Sequence, residues 1–79
     1  MAVFMLQLAH GEDVTIEADA VGRAPSGQIV LERTDRGGRP ERVRTYPAGT
    51  VTAVFRRSPV DGGGYGWVPQ RREGTWWCY

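Results

Sequence analysis

The chain has one cysteine, one histidine and no lysine in its 79 residues. Each scarcity closes off a class of function. A lone Cys78 forms no internal disulfide, and Cys78 with His10 falls short of the four ligands of a structural zinc site. With one histidine and no nucleophile at useful spacing, no catalytic constellation can be assembled, so no catalytic residue is assigned and an enzyme is not expected. No stretch carries the 3.6-residue period of an amphipathic helix. The longest largely apolar stretch, residues 2–9, is far shorter than the roughly 20 residues a membrane-spanning helix needs. The basic segment of a secretory signal is missing from the start of the chain. A cytoplasmic setting without membrane contact is therefore expected. Gly62-Gly63-Gly64 lacks the lysine and following helix of a phosphate-binding loop, and no cofactor or metal is implied.

What remains is a small chain rich in glycine and tryptophan. One domain, residues 1–79, is the expected organisation. A domain this small buries only about 60% of the surface of its unfolded chain. Without disulfide or metal it relies on dense packing or on self-association. Trp67, Trp76 and Trp77 offer large areas for either, roughly 150–250 Å² apiece.

The strand signals are strong. In Val3-Phe4-Met5-Leu6-Gln7-Leu8, Phe4, Leu6 and Leu8 share one face. After the turn His10-Gly11-Glu12, Val14, Ile16 and Ala18 alternate with Thr15, Glu17 and Asp19. Period-two alternation on both sides of a glycine turn predicts a β-hairpin. This hairpin resembles the first hairpin of ubiquitin in rhythm. A ubiquitin-like fold then needs a long helix, but residues 19–27 hold two glycines and a proline, which cost a helix interior about 1 and 3 kcal/mol each. A loop is expected there instead.

Residues 28–33 give a third strand with Ile29 and Leu31 inward, and residues 42–46 a fourth with Val43 inward. A fifth, residues 50–57, has Val51, Ala53 and Phe55 inward. These five strands form the expected main sheet, residues 1–57. Residues 58–64 read as a Gly/Pro connector, and residues 65–79 as a C-terminal aromatic hairpin. The expected fold is all-β: a small barrel or a twisted antiparallel sheet of five to seven strands. The short turn before the fifth strand is similar to that of SH3-like and Sm-like barrels, a likeness of architecture that carries no function.

Two surfaces stand out. Tyr65, Trp67, Trp76, Trp77 and Tyr79 place aromatics on both faces of the tail, which one core cannot cover. Tryptophan and tyrosine are enriched at interface hot spots, and a strand edge can pair with another chain. A protein-interaction or self-association module acting through the C-terminal strand is the first expectation, and deletion of residues 75–79 is then expected to abolish association. The second surface is basic. Residues 33–79 hold nine arginines against four acidic residues, and residues 1–32 hold one against five. Arg36, Arg39, Arg42, Arg44, Tyr46, Arg56 and Arg57 interleave guanidinium groups with aromatics, as a single-stranded nucleic-acid groove does. Nucleic-acid binding is the alternative. The plain explanation of the arginines is a solvated surface written by a GC-rich genome. His10 beside Glu12 and Asp13 reads as a polar turn, and Cys78 as a structural thiol.

Overall fold

The computed structural model describes all residues, 1–79. The chain is all-β and contains no helix. Its eight strands are β1 (Ala2–Leu8), β2 (Asp13–Ala18), β3 (Ala20–Arg23), β4 (Ile29–Thr34), β5 (Pro40–Tyr46), β6 (Val51–Pro59), β7 (Tyr65–Pro69) and β8 (Trp76–Cys78). They form two antiparallel four-stranded sheets, ordered β2-β1-β6-β7 and β5-β4-β3-β8. The arrangement is not a closed barrel: each sheet keeps two free edges.

The first hairpin lies where the alternation puts it, with Phe4 opposite Ile16 and Leu6 opposite Val14. The core forms between the sheets. Phe4, Leu6, Ala18 and Val54 come from the first sheet, and Val21, Ile29 and Leu31 from the second. Burying an aliphatic or aromatic side chain of this size contributes about 1.5–3 kcal/mol, and these seven supply the main drive for the two sheets to face each other.

The expected loop over residues 19–27 is the largest departure. Its first part is β3, an interior strand of the second sheet, with Val21 fully buried. The chain runs from β2 almost directly into β3 and changes sheet at Asp19. That corner is pinned twice: the Asp19 N–H donates to the Glu32 carbonyl at 2.8 Å, and Asp19 Oδ2 accepts the Thr34 N–H at 2.6 Å. Strands that switch sheets at a bend are a known way to close a sandwich corner.

Two bulges correct the expected faces. In β6 the register against β1 shifts at Gln7/Leu8, so that Gln7 opposes Ala53, Leu8 opposes Val51, and Thr52 is left over. One extra residue reverses the alternation beyond it. Val51 and Val54 therefore face the core, while Phe55 turns to the outer face beside Met5; Ala53, opposite Gln7, is on that side too but stays buried, as expected. In β5 the extra residue is Val43, between Arg44 opposite Leu31 and Arg42 opposite Glu32. Val43, expected inside, is exposed. Tyr46, expected outward with Arg42 and Arg44, instead packs against the core opposite Ile29.

The tail is not one hairpin. β7 pairs with β6 in the first sheet, and β8 pairs with β3 in the second. Residues 58–64 are not a loose connector either. β6 runs on to Pro59, and a tight turn with Val60 N–H bonded to the Gly64 carbonyl at 3.2 Å leads into β7. Gly62, Gly63 and Gly64 have φ of +85°, +84° and +91°, a conformation that costs other residues about 1–2 kcal/mol apiece. Three consecutive glycines are what that turn requires. No helix in the chain is long and apolar enough to cross a membrane.

Candidate functional site

β7 is a free edge, and its hydrogen-bond phase follows from its ends. Val60 bonds to Gly64 and the Gln70 N–H bonds to the Val54 carbonyl at 2.8 Å. Along the β6–β7 ladder, where Arg56 opposes Val68 and Arg57 opposes Trp67, this makes the even-numbered pairs the hydrogen-bonded ones. Pro59 and Pro69, which have no N–H, fall at odd positions where the ladder asks for none. Tyr65 and Trp67 are also odd. Their N–H and C=O groups point away from β6, toward the open edge, and are available to an added strand.

The side chains add to this. Tyr65 and Trp67 share the outer face of the first sheet with Arg57, Phe55 and Met5. They are 64% and 41% exposed. The Arg57 guanidinium lies 4.5 Å from the centre of the Tyr65 ring, close enough for a cation–π attraction. A shallow groove of about 350 Å³ lined by Val3, Arg57, Pro59 and Tyr65 among others adjoins the pair.

The other aromatic candidates are elsewhere. Trp76 faces inward on β8 and packs against the core. Trp77 faces outward on the second sheet, where its ring lies over Gly22: a Cβ on Gly22 would sit 2.6 Å from two ring carbons. Tyr79 is exposed beyond β8, and its main-chain oxygen accepts a bond from Arg56 Nε at 2.8 Å. The five aromatics thus form no single patch. Tyr65 and Trp67 belong to one sheet, and Trp76, Trp77 and Tyr79 to the other.

The arginines divide as well. Arg36 and Arg39 lie in the β4–β5 turn, whose shape is held by Asp35 Oδ1 accepting the N–H groups of Gly37 and Arg39. Arg42 and Arg44 lie on the exposed edge strand β5. Arg44 donates to the Tyr46 hydroxyl at 3.0 Å, with its guanidinium 6.0 Å from the ring centre. Arg56 points to the inner side of its sheet and spends its donors on Tyr79, Ser58 and Arg57 oxygens. Arg57 is engaged by Tyr65. No arginine comes within ion-pair distance of an Asp or Glu side chain; the single ion pair between side chains is His10 with Glu12, at 2.9 Å and exposed.

Burial pushes the Cys78 thiol above its ordinary pKa, and the nearby Arg56 charge draws it partly back. The neutral thiol is thereby favoured, which suits a packing role beside the core. Glu12, Asp13, Glu17 and Asp19 do not converge, and no three potential metal ligands gather anywhere. Sequence reasoning missed Gly22, Arg23 and the cleft that Arg71 and Arg72 line together with Arg23. The only sequence signal for the first two was Val21, an aliphatic residue inside the segment read as a loop.

No protein family, no curated protein and no solved structure matches this chain.

Proposed function

We propose that the chain is a non-enzymatic interaction module that takes an extended segment of another polypeptide, a second copy included, along the free edge of β7. The observation that carries this reading is the phase of β7: the outward N–H and C=O groups of Tyr65 and Trp67 stand beside their own exposed rings. An added strand gains main-chain hydrogen bonds from the first and side-chain contacts from the second. Exposed apolar edges are ordinarily blunted by charge, by proline or by a covering loop. Here the one proline of β7, Pro69, stands at the end of the strand and leaves Tyr65 and Trp67 free.

The test separates backbone from side chain. Trp67→Pro removes an N–H that β6 does not use, together with the ring; Trp67→Ala removes the ring alone. Light scattering over a concentration series, and peptide-array capture for unlike partners, are expected to show association for the wild type. Binding is expected to weaken in Trp67→Ala and to vanish in Trp67→Pro, with both variants still folded. Association untouched by Trp67→Pro would place the interface elsewhere.

A second reading has its own support. Arg36, Arg39, Arg42 and Arg44 have no carboxylate partners and lie on one edge hairpin beside Tyr46, an arrangement that suits a single-stranded nucleic acid. Tryptophan fluorescence titrated with a mixed oligonucleotide is then expected to saturate at low salt and fade with added salt, and Arg42→Ala/Arg44→Ala to flatten that dependence. No response at low salt would remove this reading.

A further inference from the structure

Where the chain crosses from β7 back to β8, it leaves a cleft of about 170 Å³ between the sheets. Buried Ile29 and Val54 and half-buried Trp76 line it, together with Arg23, Arg71 and Arg72. The three arginines come from distant parts of the sequence: Arg23 ends β3, and Arg71 and Arg72 follow β7. Gly74 draws two of them together. Its carbonyl accepts a bond from Arg23 Nη1 at 2.7 Å. A Cβ on it would lie 3.7 Å from Arg71 Nη2. Gly27 leaves room on the other side, since a Cβ there would lie 3.2 Å from Arg23 Nη2.

No acidic residue lines this cleft, and none of its three guanidinium groups has a carboxylate partner. The three arginines thus give the wall guanidinium donors and positive charge with no countercharge. Its complement is a group made of acceptors and negative charge. Guanidinium forks match the oxygens of phosphate and carboxylate in pairs. Volume narrows the choice further, because pockets that enclose drug-sized ligands run to roughly 300–1,000 Å³. A space of about 170 Å³ has room for an oxyanion head with a compact apolar substituent, not for a whole nucleotide.

We propose that this cleft is a binding site for a small organic oxyanion, a phosphate or carboxylate head held by Arg23, Arg71 and Arg72 with an apolar substituent resting on Trp76 and Ile29. It is independent of the β7 edge. The test titrates the full chain with inorganic phosphate, phenyl phosphate, benzoate and, as the uncharged control, phenol. The readout is the NMR shift of the Trp76 indole N–H and the arginine side chains, against sodium chloride at matched ionic strength. Saturable shifts confined to the cleft are expected, with phenyl phosphate or benzoate stronger than inorganic phosphate and phenol without effect. The preference between phenyl phosphate and benzoate identifies the head group. Arg71 and Arg72 are exposed, so R71Q/R72Q is expected to melt as the wild type does and to lose roughly tenfold or more in affinity. Trp67→Pro is expected to bind the anion normally, so failure of the β7 reading and failure of this one are distinguishable. Shifts that match those of chloride, that never saturate, or that persist unchanged in R71Q/R72Q would overturn the proposal.

Discussion

Gly22 owes its place in an interior strand to a ring 55 positions further on. Glycine weakens strands, since it has no side chain to pack and more backbone freedom to lose. At this position the missing Cβ is the requirement: Trp77, its register partner on β8, lies flat across it. A tryptophan covering a strand glycine restores the packing that the glycine lacks. Gly22→Ala is therefore expected to destabilise the fold by about 1–3 kcal/mol, the usual cost of overpacking, although alanine is the better residue for the backbone alone. Denaturant unfolding measures the loss, and a red shift of tryptophan emission reports the displaced ring. The double variant Gly22→Ala/Trp77→Ala is expected to be more stable than the sum of the two single changes, because the clash is gone; additivity would mean that the ring does not rest on Gly22. The same residue explains a misreading of the sequence. Gly22 and the following Pro25 and Gly27 break a helix, and they do so here, but the local pattern gives no hint of the tryptophan that makes a strand possible.

At the scale of elements, strands that obey strict alternation were legible and strands with an inserted residue were not. β1 and β2 pair without a bulge, and their inward residues follow from the period-two pattern. In β6 and β5 the pattern also looked regular, yet Thr52 and Val43 are extra residues, so Phe55 and Val43 lose the inward places that alternation assigns them. Nothing local distinguishes an unpaired residue from a paired one, because a bulge is defined by the partner strand. Pairing in the tail was hidden for the same reason. The tail's two apolar pieces suit each other as a hairpin, but β7 pairs with the nine-residue β6, and β8 pairs with β3 beside the core. The corner at Asp19 is where elements from both sheets depend on one side chain. Asp19→Ala leaves the Thr34 N–H without its acceptor and frees the passage from β2 to β3. Charge-assisted bonds to a main-chain N–H contribute about 1.5–3 kcal/mol, and partial exposure of this one lowers the expected loss to about 1–2 kcal/mol. Hydrogen exchange is expected to accelerate first at Thr34 and in β3; uniform exchange across the chain would show that the corner carries no special load.

For the molecule as a whole, the decisive feature is a thin core. Only 11 of 79 residues are buried, and none of them carries a charged or polar side chain. A chain of this length is expected to be stable by about 4–12 kcal/mol, so the loss of one packed element consumes much of the total. β8 is such an element. It is three residues long, but it places Trp76 and Cys78 against the core, covers Gly22 with Trp77, and brings the Tyr79 oxygen to Arg56. Deletion of residues 75–79, which the sequence alone offers as a clean test of association, removes all of these at once. Truncating a fully buried aromatic costs about 3–5 kcal/mol; half-buried Trp76 contributes part of that, and the deletion also strips β3 of a hydrogen-bonded neighbour. The shortened chain is expected to lose its sharp thermal transition, or to melt far below the full chain, and to bind a hydrophobic dye through the opened face between the sheets. Any change in its association then reports unfolding and not a lost interface. Trp67 has none of these internal duties: it stands on an edge strand, outside the core, on a position whose N–H the ladder leaves unused. Its variants are expected to keep the melting transition while changing what the β7 edge holds. If the truncated chain instead melts as the full one does, β8 contributes nothing to the core, and Trp76, Trp77 and Tyr79 return to the interface to which the sequence first assigned them.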